Sequence, residues 1–522
     1  MSDALDTTGT VAGADLDAWR RHGAGPGDPG ALRERLAAGT LPAVFAATAA
    51  ERSGHPALDI DGERVTHGEL DERAGRAAVW LLDRGVTPGD RVLLCAPSSI
   101  DLVAAYLGVL RAGGVVVPAG TGSAHPELAH LVGDSGAVLA LADGPAAGHL
   151  RTLTDVAAVA APGAWTGAPV PVPELDPHAP AVLAYTSGTT GSPKGVGLTH
   201  ANLLSSIRSV MLAWRWSPGD VLVHALPLSH QHGLGGVHAT LIAGSTAVLH
   251  SRFDPARLAA TAAEARATVL MAVPAMHERL AALDDHGGLG DLRLVVSGSA
   301  PLSPDLAERL TGVYGEPPLE RYGLTETGLD VGNPYEGPRR PGTVGLALPG
   351  VEVAIADGDG RRLGPGEDGE IVMRGPQVVA GYWERPDATR ESFFPGGWFR
   401  TGDIGRADPA DGYLSITGRS KELIVSGGMN VYPREVELAC EQHPGVEAAA
   451  VVGVPSERWG EEVVAFIVAG PDGAPDADEL RAFTRDRIAA YKLPKRVLPI
   501  DELPRNPMGK LDRRALEEQA GS

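Results

Sequence analysis

Apolar positions in the first quarter of the chain fall into short runs that alternate with longer amphipathic stretches. Leu58–Ile60 and Glu63–Val65 bracket Asp61-Gly62, a hairpin signal. Leu70–Leu82 repeats its apolar residues at helical spacing. Pro88-Gly89-Asp90 leads into a strand over Arg91–Cys95. Ile100–Ala112 is a helix stopped by Gly113-Gly114, and Val115–Pro118 is the next strand. Strand–helix–strand alternation predicts a parallel sheet covered by helices. Ala146–Pro177, rich in Ala, Gly and Pro, is a connection leading to a buried strand over Ala179–Ala184. Val196–Thr199 resumes the apolar pattern and His200 opens a helix. Thr268–Val273 is another strand, running into a Pro-led helix at Pro274, and Leu292–Ser297 is another.

A chain of 522 residues is too long for one compact core, so at least two domains are expected. Apolar content of 43% and charged content of 21% are those of a soluble globular protein. No apolar run is long enough to span a bilayer. Residues 1–35, rich in Gly, Asp and Ala, read as a flexible lead-in with no secretory signal pattern, and the expected location is cytoplasmic. Cys95 and Cys440 stand in apolar and helical patterns, as small core residues. The net charge of −21 excludes general nucleic-acid binding, which needs a basic surface. Any anionic ligand must then be held by local cations and backbone groups.

The stretch Tyr185–Gly195, Tyr-Thr-Ser-Gly-Thr-Thr-Gly-Ser-Pro-Lys-Gly, follows the buried strand directly. Its glycines let successive N–H groups face an anion, its hydroxyls donate further hydrogen bonds and Lys194 adds a positive charge. That mixture suits a polyphosphate. It lacks the Gly-Lys-Ser/Thr ending of a P-loop.

This stretch resembles the phosphate loop of the adenylate-forming superfamily of acyl-CoA synthetases, adenylation domains and luciferases, and the resemblance runs from about Leu41 to Arg514. It implies an α/β fold: a large N-terminal domain (36–420) of parallel and mixed sheets with helices and a small barrel subdomain, then a small mobile α+β domain (421–522). It implies ATP, Mg²⁺ and CoA as ligands. Thr186, Ser187, Gly188, Thr189, Thr190, Gly191 and Lys194 fall on the phosphate loop. Ser299, Ala300 and Pro301 fall on the turn beside adenine. Arg321-Tyr322-Gly323 precedes Thr325, for the α-phosphate, and Glu326, which with Thr186 would face Mg²⁺. Tyr322 offers a flat face to adenine. Asp403 and Arg419 fall on the ribose, Lys421 on the hinge, and Gly427-Gly428 on the passage for a thiol arm. Lys510, between Pro507-Met508-Gly509 and Leu511, falls on the catalytic lysine that neutralises charge during attack.

For the acid, the resemblance points to His230, Arg279, Ser299 and Gly328. The string Asn333–Gly345 looks most like malonyl-CoA synthetases, in which an arginine matching Arg279 holds the distal carboxylate. The chain departs from that branch at Leu324, Gly328 and Leu329, which border the acyl pocket, and carries Ser229 where an aromatic residue is usual. Three readings follow. The first is an AMP-forming acid–CoA ligase for a small carboxylate, malonate among the options, acting as a monomer or homodimer. The second is a stand-alone adenylating enzyme that passes its product to a carrier protein or an amine, including activation of nitrite to a diazonium. The third is a degenerate nucleotide-binding scaffold, against which Lys194, Glu326, Asp403, Arg419 and Lys510 stand together.

Overall fold

The computed structural model describes residues 5, 11–153, 159–163, 165–186, 193–426, 429–456, 458–470, 473–505 and 511–521. The chain divides into two compact units. One contains Ala354–Val372 and Arg400–Ser522, the other Asp6–Val353 and Met373–Phe399.

In the second of these, the described residues form a nine-stranded sheet and a six-stranded sheet. The nine-stranded sheet has a parallel centre, in which Val269–Ala272 lies between Val221–His224 and Leu294–Ser297, and Leu294–Ser297 pairs onward with Leu319–Tyr322. Antiparallel pairs close both edges. The strands Val269–Ala272 and Leu294–Ser297 are buried at every position and almost wholly apolar, as fits strands covered on both faces. The six-stranded sheet runs parallel from Val159–Ala160 to Pro180–Thr186, and Lys194–Thr199 is its antiparallel last strand.

The hairpin expected at Asp61-Gly62 forms between Pro56–Ile60 and Glu63–Thr66, with both turn residues at positive φ (52° and 94°). The helix expected over Leu70–Leu82 starts earlier, at His67, because Thr66 and Glu69 build a reciprocal cap: Glu69 N donates to Thr66 Oγ1 and Thr66 N donates to Glu69 Oε2. Cys95 and Cys440 are buried free thiols. Ala146–Pro177 is less plain than its composition suggests, since it contains a short strand at Val159–Ala160.

The lead-in is a correction. Residues 1–35 read as flexible, yet Gly13–Arg21 and Pro29–Ala37 are helices. Trp19 is 2% exposed. Its indole N–H donates to Val351 O at 2.7 Å, and Arg33 lies over its ring. Asp28 caps the second helix by accepting from Ala31 N at 2.7 Å. One large buried aromatic outweighs the Gly-rich composition around it.

In the first unit, Trp398–Ala407 and Leu414–Arg419 pair antiparallel, with Asp403 opposite Arg419. The C-terminal sheet runs in the order Met429–Val431, Ile424–Ser426, Gly460–Ala469, Val446–Ser456, with Arg496–Pro499 parallel to Gly460–Ala469. Its core gathers Ile424, Val436, Cys440, Val451, Val463 and Ile467.

Candidate active site

The strands Pro180–Thr186 and Lys194–Thr199 pair with Tyr185 opposite Gly195 and Thr186 opposite Lys194. Ser187, Gly188, Thr189, Thr190 and Gly191 lie outside the described residues. Gly195 is required by close approach: a Cβ there would stand 3.0 Å from both Leu183 Cδ1 and Trp383 Cβ. Trp383 N donates to Gly195 O at 2.8 Å. The Lys194 ammonium sits 5.0 Å from the centroid of the Tyr382 ring. The Tyr382 hydroxyl donates to Glu326 Oε1 at 2.8 Å. Burial and the Glu326 charge push the Tyr382 phenol up, so it stays a donor. One aromatic residue thus joins the loop cation to the carboxylate expected at the metal.

The strand Leu319–Tyr322 delivers Arg321 and Tyr322, both buried, to the C-terminal end of the parallel sheet, where ligands of open α/β sheets bind. Gly323 follows because no side chain fits: its Cβ would lie 1.9 Å from Gly328 O. Gly328 itself has φ +79°, and Leu329 N donates to Ser206 Oγ at 2.9 Å. Thr325 and Glu326 are half-buried. Gln231 Nε2 donates to Thr325 O at 3.2 Å.

Behind this turn, Asp330 accepts from Thr327 Oγ1 and, at 3.0 Å, from Gln377 Nε2. Burial pushes its carboxyl up to about 7, against those hydrogen bonds and the Arg321 charge.

The turn Gly298–Pro301 meets this strand from one side. Gly298 lies flat against Arg321, whose Nε would be 2.4 Å from a Cβ at that position. Ser299 is exposed and adopts φ +70°, a strained conformation for a residue with a Cβ. Its Oγ lies 3.1 Å from His232 Nδ1. Ala300 and Pro301 are exposed beside it.

His230 is half-buried and occupies the N-cap of the helix Gln231–Ala243. The next histidine therefore turns toward Ser299, and it is His232, not a sequence candidate, that makes this bond. His232 Nε2 is buried without a hydrogen-bond partner among the described residues, as are Arg321 Nε and Nη2. Burial first, then the Arg321 charge, hold His232 well below the usual histidine range, so it is neutral. Burial lowers Arg321 to about 10, which leaves it charged at neutral pH.

Arg279 ends the helix Pro274–Ala281, exposed, with its guanidinium 4.9 Å from the centroid of the Phe253 ring. In the other unit, Arg419 Nε donates to the buried Asp403 at 2.8 Å. Lys421 is exposed in a short 3-10 turn, Ser420–Glu422. Gly427, Gly428 and Lys510 lie outside the described residues.

Tyr382 and His232 are the residues that sequence reasoning left without a role. Tyr382 stands in Gly381-Tyr382-Trp383, and its link to Glu326 spans 56 positions. His232 had a visible signal in its position two residues after His230.

Comparison with known proteins adds an independent line. Residues 45–383 match the family model of AMP-binding enzymes, and residues 435–510 match that of the AMP-binding enzyme C-terminal domain. The chain is similar to a feruloyl-CoA synthase of Amycolatopsis, 38% identical over 86% of this chain and 93% of the relative. It is also similar to a sulfoacetate–CoA ligase of Cupriavidus necator, 36% identical over 92% and 98%. Among solved structures, ATP-bound MatB from Rhodopseudomonas palustris superposes with a TM-score of 0.85 at 35% identity, over 92% of this chain and 99% of that one.

Proposed function

This chain belongs to the AMP-binding enzyme family, as an ATP-dependent, AMP-forming acid–thiol ligase, and we propose that its acid is a small carboxylate carrying a second anionic group. The observation that carries this reading is Arg321. A buried guanidinium with two nitrogens lacking a hydrogen-bond acceptor is costly even with the Asp330 carboxyl near enough to feel its charge, and an anionic ligand would complete it. The neutral His232, one nitrogen at Ser299, has its other nitrogen buried without a partner among the described residues and is near enough to Arg321 to feel its charge. These donors suit a distal carboxylate or sulfonate. The sulfoacetate–CoA ligase among the relatives acts on an acid of that kind.

In the proposed reaction, a carboxylate oxygen attacks the α-phosphorus of ATP and the bond to pyrophosphate breaks. The sulfur of CoA then attacks the acyl carbon and AMP leaves. Tyr322 stacks on adenine and Asp403 accepts from the ribose hydroxyls, with Arg419 beside it. The 186–194 segment and Thr325 bind the phosphates. Lys510 stabilises charge in the first step, Lys421 is the hinge, and Gly427-Gly428 passes the thiol arm.

Mg²⁺ fits the donor set. Glu326 has a hard carboxylate oxygen to offer, with Thr186 in the same unit. Among the described residues no group of three or more His, Cys, Asp or Glu could hold a metal alone. Phosphate and water then supply the remaining ligands, the usual arrangement for Mg²⁺. When bound, the ion supplies neutralisation of phosphate charge. No helix among the described residues is long and apolar enough to cross a membrane, and we assign the enzyme to the cytoplasm.

The test compares Arg321→Met with Arg279→Ala, the latter being the sequence's candidate for the same role. The readout is kcat/KM for malonate against acetate. Arg321→Met is expected to lose about 100-fold on malonate and little on acetate. Equal loss on both acids, or loss in Arg279→Ala alone, contradicts the assignment to Arg321.

A further inference from the structure

The turn from Tyr322 to Asp330 carries Thr325 and Glu326, and Asp330 ties it together twice. At the backbone, Asp330 N donates to Tyr322 O at 3.1 Å, and Asp330 O accepts from Leu348 N at 2.8 Å. From within, the Thr327 hydroxyl donates to Asp330 Oδ2, and the same hydroxyl oxygen accepts from Leu324 N at 3.3 Å. A hydroxyl has a single proton, so donation to Asp330 leaves its lone pairs for Leu324. The other oxygen, Asp330 Oδ1, accepts from Gln377 Nε2 at 3.0 Å. Gln377 comes from the segment that also holds Glu326 directly. Val379 N donates to Glu326 O at 3.0 Å, and the Tyr382 hydroxyl donates to Glu326 Oε1. Thr327 and Asp330 are wholly buried and Gln377 is 2% exposed. Gly375 leaves room for the amide, since a Cβ there would stand 2.3 Å from Gln377 Oε1.

From this we propose that Asp330, Thr327 and Gln377 are positioning residues for magnesium-bound ATP. None of the three is among the residues expected to touch ATP, the acid or the thiol. They join the two pieces of chain that meet at Glu326, so that Thr325 and Glu326 are set in place before the ligand arrives. Such pre-organisation improves affinity by lowering the ordering cost at the moment of binding. A buried carboxylate is a costly way to brace a turn unless donors meet it, and here the donors come from both pieces of chain. The inference rests on the reading of Thr325 and Glu326 as the phosphate and metal residues, and is independent of which acid is activated.

The test is calorimetric titration of the full-length protein with magnesium-bound ATP and, separately, with adenosine, in the absence of acid and thiol. Thr327→Val keeps the branched shape and removes the hydroxyl. It is expected to raise the Kd for magnesium-bound ATP about tenfold, the effect of losing hydrogen bonds that act on binding. Gln377→Met removes a donor to Asp330 from outside the turn and is expected to raise it about fivefold. It also covers the case in which Thr327→Val fails to fold. Thr327→Ser, which keeps the hydroxyl, is expected to stay within about twofold of the parent protein. The Kd for adenosine is expected to stay within about twofold in all three, because the backbone bond to Tyr322 is retained. Equal weakening of magnesium-bound ATP and adenosine, or unchanged ATP affinity in folded variants, would overturn the proposal. Glu326→Gln separates this from the reading beneath it. If that variant also leaves the affinity for magnesium-bound ATP unchanged, the reading of the turn fails and the proposal with it. If it weakens that affinity while Thr327→Val and Gln377→Met do not, the positioning role alone fails.

Discussion

Arg321, Tyr382 and Gly323 lie within a few positions of recognisable motifs, and each does something the motif does not state. Arg321 stands in a nucleotide string, yet its Nε and Nη2 are buried without a hydrogen-bond partner among the described residues. Tyr382 connects Lys194 to Glu326, so its hydroxyl orients the carboxylate expected at the metal. Tyr382→Phe is expected to keep the ring under Lys194 and lower kcat about tenfold, with KM for the acid unchanged. Steady-state kinetics at saturating ATP check this, and a rise in acid KM alone would contradict it. Gly323 is a steric requirement. Gly323→Ala is expected to cost about 3 kcal/mol or more, because the methyl meets Gly328 O at 1.9 Å. A urea midpoint unchanged from wild type would show that the turn yields. The motif positions were legible because their chemistry is local and contiguous. Tyr382 and His232 were not, since their partners lie 56 and 67 positions away.

At the scale of elements, the strands and helices over the first hundred or so residues of the large sheets followed from periodicity, with boundaries moved by one to three residues. Thr66 and Glu69 extend their helix by three residues beyond the apolar pattern. Thr66→Ala is expected to cost about 1 kcal/mol, measured by chemical denaturation, because it removes one side of the cap. The N-terminal helices were not legible. Helix Gly13–Arg21 carries few apolar residues and is held by Trp19, whose burial depends on the distant backbone of Val351. Trp19→Ala is expected to cost about 3–5 kcal/mol, and a loss under 1 kcal/mol would return this region to the status of a lead-in.

On the scale of the whole molecule, the buried histidines lower stability in acid. His22, His200, His224, His238 and His277 are buried, and burial above all lowers them to about 4, 4, 3, 3 and 4. Each is depressed below the ordinary value of 6.5 in the folded state. As pH falls through 6.5, the unfolded chain takes up protons that the folded chain refuses, so stability is lost from there down toward about pH 3 to 4. His238→Phe, which keeps a ring beside Tyr106, is expected to move the acid unfolding midpoint to lower pH. An unmoved midpoint would assign acid sensitivity to other groups. None of this was visible in the sequence, because a histidine's burial is a property of the finished fold.

The adenylation and thioester chemistry is measured most directly by the product balance when the enzyme is given ATP, CoA and each of malonate, sulfoacetate and acetate. AMP and pyrophosphate are expected in equal amounts, matched one-to-one by a CoA thioester, with both doubly anionic acids favoured over acetate. ADP in place of AMP, AMP release without a thioester, or a preference for acetate would contradict it.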